Sequence, residues 1–315
     1  MDSVTTEQDP PRPAAAPEDT APAGDAGPRP ETPVRTPTPV AGPVASAATR
    51  GRKPSKLLGI RHEIGFGWQL AFGALGVATI FLLWVVLAAR LGSAGATLVP
   101  SPARTLSALA DMWTSGSLQE DLVASVRRIA IGYSISVVLG VIFGMAIGTF
   151  VAMQAFFEPQ FGFLRYIPAT ALTPVFLLWL GIGESPKIWL IVVGTMFFNI
   201  LMVADVVRGV PRELINASYT LGAGRARILR KVLFPHSVPG IIDVARINLA
   251  AAWLMLVVAE ILAAQEGLAY QIIRSQRSRS VDKMFALLIV FGVIGLVSDL
   301  FLRWLRDRVA PWNRA

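Results

Sequence analysis

The chain has 315 residues, of which 53% are hydrophobic and only 16% are charged, and its mean hydropathy is +0.55. Soluble domains carry about 25% charged residues, so this composition excludes an ordinary soluble domain and indicates a membrane protein. The net charge of +8 would suggest a nucleic-acid partner in a soluble protein, but the apolar content argues against one here. The absence of cysteine excludes disulfides, thiol catalysis and Cys-ligated metal sites, and the two histidines, His62 and His236, lie far apart in sequence.

The first 56 residues differ in composition from the rest of the chain. They hold more than half of the 22 prolines and much alanine, and they contain no aromatic residue, since the first one is Phe66. Such a segment has too little apolar surface to offset the entropy lost on ordering, and it lacks the apolar stretch of a signal peptide. We predict a disordered Pro/Ala-rich cytoplasmic tail at 1–56 and a membrane domain at 57–315.

Six apolar segments follow, and each is close to the roughly 20 residues with which an α-helix crosses about 30 Å of hydrocarbon. Apolar runs with few or no charged residues predict transmembrane helices at about 64–89, 129–152, 163–183, 188–206, 238–264 and 284–303. The fifth contains Asp243, Arg246 and Glu260, and the sixth contains Asp299. The sequence therefore predicts an all-α, polytopic membrane protein with about six transmembrane helices.

Lysine and arginine are unevenly distributed over the flanks of these helices, and they are enriched in cytoplasmic flanks. With both termini inside, the inner flanks include the basic clusters at 50–61, 207–235 and 303–314, and they hold more basic residues than the outer flanks. The basic patch at 274–283 falls outside in this arrangement and weighs against it. We predict a multi-pass protein with cytoplasmic N- and C-termini.

Small residues and prolines mark two of the predicted helices. Gly140, Gly144 and Gly148 recur at every fourth position of the second helix, a spacing that lets two helix backbones approach closely. This ridge either packs within one subunit or forms a moving or dimer-forming surface. In the third helix, Pro168 and Pro174 indicate either a tolerated kink or a broken helix beside a pathway.

The loop at 207–235 is polar and basic, and it is the most informative part of the sequence. Pro211 suits the first turn of a helix. The residues that follow with the spacing of one helical face are Leu214, Ala217, Ser218 and Leu221. Gly222 and Gly224 allow a sharp turn before a second amphipathic piece at 225–234, and the next membrane helix begins at Pro235. We predict a short helix and a glycine turn on the cytoplasmic side, and the alternative is an interfacial helix that binds anionic lipid.

This loop resembles the coupling motif of the permease subunits of ABC importers, EAA-x3-G-x9-I-x-LP. The residues at the motif positions are Asn216, Ala217 and Ser218 for EAA, Gly222 for the glycine, Val232 for Ile, and Phe234 and Pro235 for Leu-Pro. Only Ala217, Gly222 and Pro235 match outright, and Glu213 lies one turn upstream of the position where the motif has its glutamate.

The resemblance extends over about 64–312 and is closest to the subgroup of permeases for nitrate, sulfonate, taurine and bicarbonate. The segments that carry it outside the loop are 98–102, 125–128, 165–168, 178–184, 252–253, 259–260 and 311–312. The resemblance does not extend to the tail at 1–56, for which we place no counterpart. The resemblance implies the type I ABC importer permease fold, with a cytoplasmic coupling helix, in a bacterial inner membrane.

The same resemblance implies a set of partners. Two permease copies, expected to form a homodimer, would pair with two ATPase subunits, and a substrate-binding protein would dock outside the cell membrane. The expected ATPase-coupling residues are Glu213, Asn216, Ala217, Ser218, Gly222, Ala223 and Pro235. No G-x-x-x-x-G-K-[ST] phosphate loop occurs in the chain. ATP hydrolysis is therefore expected on the partner ATPase, and this chain is expected to be a transport subunit without a cofactor and not an enzyme.

Polar side chains within the helices are the candidates for the translocation path, because a charge in a membrane faces the protein interior or a water-filled path. An anion requires positive charge or hydrogen-bond donors along its route. The path candidates are Arg165, Thr170, Thr173, Thr195, Arg246, Trp253 and Glu260. Asp243 and Arg246 are three residues apart, so an ion pair that only supports the structure is the alternative for Arg246.

The implied function is ATP-driven import of a small anion such as a sulfonate, taurine or nitrate. The same subgroup contains permeases for pyrimidine precursors and aromatic acids, so another small organic solute is an alternative. A stand-alone channel or carrier is a second alternative, but the sequence shows neither inverted repeats nor a run of charges within a span. An exporter permease or a membrane-embedded enzyme is a third, but an enzyme would cluster titratable groups and these spans offer few.

Overall fold

The computed structural model describes residues 65–91 and 98–313, and these ranges contain helices and turns but no strand. The predicted tail at 1–56 and the basic cluster at 50–61 lie outside the described residues. The helices are α1 (Phe66–Leu91), α2 (Pro102–Thr114), α3 (Ser117–Thr149), α4 (Val151–Leu164), α5 (Thr173–Leu180), α6 (Glu184–Arg208), α7 (Arg212–Thr220), α8 (Arg225–Ile228), α9 (Phe234–Ala263), α10 (Leu268–Arg277) and α11 (Val281–Val309). Short 3-10 turns lie at Ala169–Leu172 and Pro311–Asn313.

Five helices in the described residues are long and apolar enough to cross a membrane. They are α1, α3, α6, α11 and the continuous stretch Arg225–Ala263 that contains α8 and α9. A sixth crossing is possible if α4 and the segment Ala169–Leu180 are one span, and these two halves are bent by 80°. The all-helical fold with about six apolar segments is therefore confirmed.

The predicted third helix, 163–183, differs from the structure because a bend divides it. α4 ends at Leu164, and Pro168 adopts an extended backbone with φ −61° and ψ 113° before the chain becomes helical again. Proline has no N–H to donate to the preceding turn and pushes the residue before it out of the helical region. Pro174 lies in the first turn of α5, where the missing N–H costs nothing.

The predicted second helix, 129–152, also differs at its start, because α3 begins twelve residues earlier, at Ser117. The first turns of α3 carry Asp121 and Arg128, which a search for charge-free runs excludes, although both are buried. α2 and α10 were not among the six predicted segments. Ser101 caps α2 by accepting a hydrogen bond from the Arg104 amide, which gives the 98–102 segment a structural role.

α3 and α6 pack closely along the predicted glycine ridge. A Cβ atom added to Gly140 or Gly144 would lie 2.7 Å from the Cβ atom of Asn199 or Val203 respectively, both on α6. At Gly148 the neighbouring side chain is also on α6. The ridge therefore packs within one subunit, which is the first of the two interpretations of its spacing.

Replacing Gly144 with alanine is expected to destabilise the protein by about 1–3 kcal/mol, because the new methyl group would force α3 away from Val203 on α6. The measurement is thermal unfolding of the purified protein in detergent. Gly76→Ala in α1 is the matched control, since no heavy atom lies within 4 Å of a Cβ atom placed there. Equal melting temperatures for the two variants would contradict the close approach.

Candidate functional site

The predicted helix in the loop after α6 is present as α7, which spans Arg212–Thr220 and follows Pro211. Its packing side differs from the predicted face. Ile215 packs against the apolar cluster formed by the ends of α6, α8 and α9, whereas Leu214 is exposed and Leu221, just after the helix, is 86% exposed. α7 therefore lies on the bundle through Ile215 and presents apolar side chains outward.

The predicted glycine turn follows α7 directly. Gly222 has φ +75°, a left-handed conformation that glycine adopts without the steric cost paid by other residues. Its amide donates to the Tyr219 carbonyl at 2.9 Å, and the Ala223 amide donates to the Ser218 carbonyl at 3.0 Å. Gly224 is extended, with φ −73° and ψ 161°, so the sharp turn rests on Gly222 alone.

The second predicted piece of this loop, 225–234, is not a separate helix. It continues into α9 through a π-helical turn at Leu229–Leu233, so the helix does not restart at Pro235. Pro235 cannot donate a hydrogen bond to the preceding turn, and a wider π-turn accommodates such a missing donor. The membrane helix therefore emerges directly from the basic loop.

The structure places the predicted coupling residues on one short segment and on the helix after it. The exposed ones are Glu213, Asn216, Ala217 and Gly222, and the half-buried ones are Ser218, Ala223 and Pro235. The Ser218 hydroxyl donates to the Leu214 carbonyl at 2.7 Å, within α7. We call this end of the bundle, which also holds the last turns of α3 and α6, the α7 end, and the opposite end the α10 end.

An ion cluster centred on a buried arginine joins α3 to α6 and α9 at the α10 end. The Arg128 guanidinium is completely buried, and its Nε and Nη2 donate to the two oxygens of Glu184 at 2.7 and 2.8 Å. Its Nη1 donates to Glu260 at 2.9 Å and to the backbone carbonyl of Glu266 at 2.8 Å. Lys187 adds a second cation by donating to Glu184 at 2.6 Å. One arginine thus connects three helices and the turn after α9.

The same cluster fixes the turn between α9 and α10. The Glu260 carboxylate accepts hydrogen bonds from the Ser125 hydroxyl at 2.6 Å and from the Ala269 amide at 2.9 Å. Asp121 accepts from the Gly267 amide at 2.7 Å. Gly267 has φ +123°, and a Cβ atom there would overlap the Glu260 carboxylate. Three of the sequence segments singled out above, 125–128, 178–184 and 259–260, therefore meet in one place.

A ladder of buried polar side chains crosses the middle of the same three helices. Ser136 Oγ on α3 accepts hydrogen bonds from Thr195 at 2.8 Å and from Asn199 at 2.9 Å, both on α6. Asn199 in turn accepts from Asn248 on α9 at 2.8 Å. Because buried polar groups are costly unless they are bonded, this ladder fixes the mutual register of α3, α6 and α9.

A second group of ion pairs links α9 to α11 nearer the α7 end. Arg246 bonds to Asp243 at 3.2 Å, so the predicted pair is present, and it also bonds to Asp299 on α11 at 2.9 Å. Arg306 bonds to Asp243 at 3.1 Å. Arg246, Asp299 and Trp253 line a cavity of about 530 Å³ between the two helices.

The seven predicted path residues do not come together in this single chain. Thr195 and Glu260 are completely buried in the polar ladder and the ion cluster. Arg165 and Thr170 line a cavity of about 230 Å³ beside the bend after α4, and the Thr173 hydroxyl donates to the Thr170 carbonyl at 2.8 Å. The remaining two, Arg246 and Trp253, line the cavity between α9 and α11.

Sequence reasoning missed most of the residues that organise the two polar clusters. Arg128 and Glu184 were noted only at the edges of apolar runs and within the segments that carry the family resemblance, with no role assigned to either, and Asn199 and Asn248 were not considered. The only signal in the sequence was a pair of charges, Arg127 and Arg128, at the edge of an apolar run, and it does not show which of the two is buried. No such signal identifies the partners of Arg128, which lie 56 and 132 residues further along the chain.

Comparison with known proteins agrees with this architecture. Residues 136–311 match the family model described as binding-protein-dependent transport system inner membrane component. An ABC transporter permease protein of Brucella abortus is 34% identical over 249 residues, which are 79% of this chain and 96% of that protein. The aliphatic sulfonates transport permease protein SsuC of Bacillus subtilis is 32% identical over 79% of this chain and 90% of its own length.

Among solved structures, an inward-facing form of the MetNI methionine ABC transporter has a chain with the same fold. The TM-score is 0.52 at 20% sequence identity, and the match covers 62% of this chain and 94% of that chain. At this identity the likeness concerns the fold alone.

Proposed function

This chain belongs to the family of binding-protein-dependent transport system inner membrane components, and we propose that it forms the path of an ATP-driven importer for a small anion. It is an ABC importer permease, a multi-pass membrane protein of the group that includes sulfonate, taurine and nitrate permeases. Such subunits are transport components and not enzymes. What the proposal adds is the coupling surface, the class of solute and the partners.

The observation that carries the proposal is the geometry of α7. A short helix held on the bundle by Ile215, with Leu221 exposed and a left-handed turn at Gly222, has the shape of a knob that inserts into a groove of a partner. We assign that groove to the ATPase, with Glu213, Asn216 and Ala217 as its polar and small contacts. Because α7 is joined through the π-turn to α9, movement of the knob would be transmitted to the membrane helices as a rigid-body rotation.

For the path, the positions of the candidates suggest two roles. Arg165, Thr170 and Trp253 line cavities, and we assign them to contact with the solute. Arg246 lines the second of these cavities but is ion-paired to Asp243 and Asp299, and we assign it to holding α9 against α11. Thr173, Thr195 and Glu260 are hydrogen-bonded within the protein, and we assign them to positioning the helices around the path.

A sulfonate is the solute class that we favour. The relative from Bacillus subtilis is named for aliphatic sulfonates, and arginine is well suited to oxyanions because its planar fork of N–H groups matches their geometry. Arg165 lies at the exposed bend after α4, beside the cavity that Thr170 also lines.

The assembly we propose contains two copies of this chain, two ATPase subunits and a substrate-binding protein outside a bacterial inner membrane. The α7 end then faces the cytoplasm together with both termini. α1 is exposed over nearly its whole length in the single chain, and lipid or the second copy would cover it.

Reconstitution into liposomes tests this function. The ATPase and the binding protein would first be identified by co-purification with the full chain from the native membrane. We expect uptake of radiolabelled taurine or another alkanesulfonate only when all components and ATP are present. Uptake by this chain without the ATPase would instead show a stand-alone carrier. ATP-dependent uptake of an aromatic acid and not of a sulfonate or nitrate would reject the proposed solute class while leaving the importer in place.

A further inference from the structure

A cavity of about 550 Å³ opens behind α7, on the side that faces the bundle. Its walls are the junction between α3 and α4, the last turn of α6, α7 itself and the start of α8. The charged residues of the lining are Arg208, Arg212 and Arg225, and none of the described residues that line it is acidic. Neither the proposed coupling surface nor the proposed path uses this cavity.

Two of the three arginines have charges that are not neutralised. Arg208 bonds to Glu158 at 2.8 Å and to Asp205 at 2.6 Å, so its charge is compensated. Within the described part of the chain, the guanidinium groups of Arg212 and Arg225 have neither an ion pair nor a hydrogen bond. Two unpaired cations therefore face one cavity from two different elements, α7 and α8.

The opposite wall of the cavity contains the start of α4. α4 begins there at Val151, after Phe150 with its extended backbone, and no side chain caps this helix and no acidic residue lies in its first turn. The first backbone N–H groups of a helix carry a partial positive charge and attract anions. The Thr149 hydroxyl oxygen beside this helix start is buried and has no hydrogen-bond partner in the described structure.

We propose that this cavity binds a phosphate-type oxyanion between Arg212, Arg225 and the start of α4. The bound oxyanion connects α7 to α4 and compensates both arginines. The phosphate group that binds here can belong to the headgroup of an anionic phospholipid or to free phosphate in solution. If α7 couples the permease to an ATPase, which rests on the function proposed above, occupancy of this cavity holds α7 in its docking position.

The binding experiment uses the purified full chain in lipid nanodiscs and needs no ATPase, so its failure is distinct from a failure of the proposed function. In discs of phosphatidylcholine alone, inorganic phosphate is titrated at matched ionic strength. In a second set of discs, phosphatidylglycerol is added to the phosphatidylcholine. The readout is the melting temperature, since a ligand that binds only the folded state raises it.

The test variant is Arg212→Gln with Arg225→Gln, and the matched control is Arg227→Gln with Arg230→Gln. The control removes two exposed arginines of the same loop that do not line the cavity. A third variant, Thr149→Val, removes the buried hydroxyl and leaves the charge unchanged. We expect the test variant to bind at least about tenfold more weakly, because each lost contact is a charge-assisted hydrogen bond, and the control to bind as the natural chain does.

Stabilisation by phosphate in the neutral discs would support the site with a free oxyanion as its ligand. Stabilisation by phosphatidylglycerol alone would support it with a lipid headgroup as its ligand. The proposal is overturned if neither probe raises the melting temperature. It is also overturned if the rise in melting temperature is the same in the test variant as in the control variant. Unchanged affinity in Thr149→Val, with loss in the arginine variant, would support the arginines as the site and remove the threonine from it.

Discussion

Leu221→Glu is expected to reduce ATP-driven uptake at least about a hundredfold while the protein still folds and inserts. Leu221 is 86% exposed in the single chain, so its replacement disturbs no packing within the subunit. In the proposed complex this side chain is buried in the ATPase, where an unpaired carboxylate is costly. Each 1.4 kcal/mol lost from the association weakens it about tenfold. The measurements are the initial uptake rate in liposomes and co-purification of the ATPase.

The matched control for this variant is Trp312→Glu. Trp312 is also an exposed apolar residue at 62%, and it follows α11, whose last turns pair with the start of α9 at the α7 end. We expect this control to retain uptake and ATPase binding. Gly222→Asp should resemble Leu221→Glu, because it adds a charge at the same knob and strains the left-handed backbone. Normal transport in both loop variants would refute the coupling assignment.

The positions of most membrane helices could be predicted from the sequence because the membrane itself sets their length. The segments predicted at 64–89, 188–206 and 284–303 overlap closely with α1, α6 and α11. The observed α6 and α11 are longer at both ends because their terminal turns carry charged residues. A helix continues through such residues as long as its backbone hydrogen bonds are made, whereas a hydropathy run ends at the first charge.

The bend between α4 and α5 shows what hydropathy cannot supply. Pro159 lies inside α4 without ending it, whereas the chain leaves the helical conformation before Pro168. The effect of a proline depends on whether neighbouring helices compensate for the missing hydrogen bond, and that is a property of tertiary packing. The prolines therefore indicated the region of the break but not its direction or its 80° angle.

For the candidate site, the local features could be predicted and the long-range ones could not. The glycine turn was predictable because a left-handed residue is required after a short helix and Gly222 supplies it. The outward face of α7 was not, since the choice between Leu214 and Ile215 as the packing residue depends on the cluster at the ends of α6 and α9. The partners of Arg128 are set by the arrangement of three helices, which a single sequence does not reveal.

Arg128→Met is expected to lower the free energy of unfolding by about 3–5 kcal/mol, the cost of removing one partner from a buried ion pair. The substitution leaves the carboxylate of Glu260 completely buried without its cation, and Glu184 loses both of its bonds to the guanidinium. The measurement is thermal unfolding in detergent, together with the yield of monodisperse protein. The preceding residue, Arg127, provides the matched control.

Arg127→Met removes the same charge from the same turn of α3, but the Arg127 side chain is 57% exposed and its guanidinium is 3.6 Å from Glu184, too far for a hydrogen bond, so the loss should stay below about 1 kcal/mol. Arg128→Met costs stability because it leaves the buried Glu260 carboxylate without its cation. Adding Glu260→Gln to Arg128→Met should therefore restore part of the loss, and the effects of the two single substitutions should not add.

Equal destabilisation by the two arginine variants, or strictly additive effects of Arg128→Met and Glu260→Gln, would mean that the cluster does not join α3 to α9. A large loss from Arg128→Met that Glu260→Gln partly restores would show that the arginine holds the helices together by compensating buried charge, and that the 125–128 and 259–260 segments act as one unit.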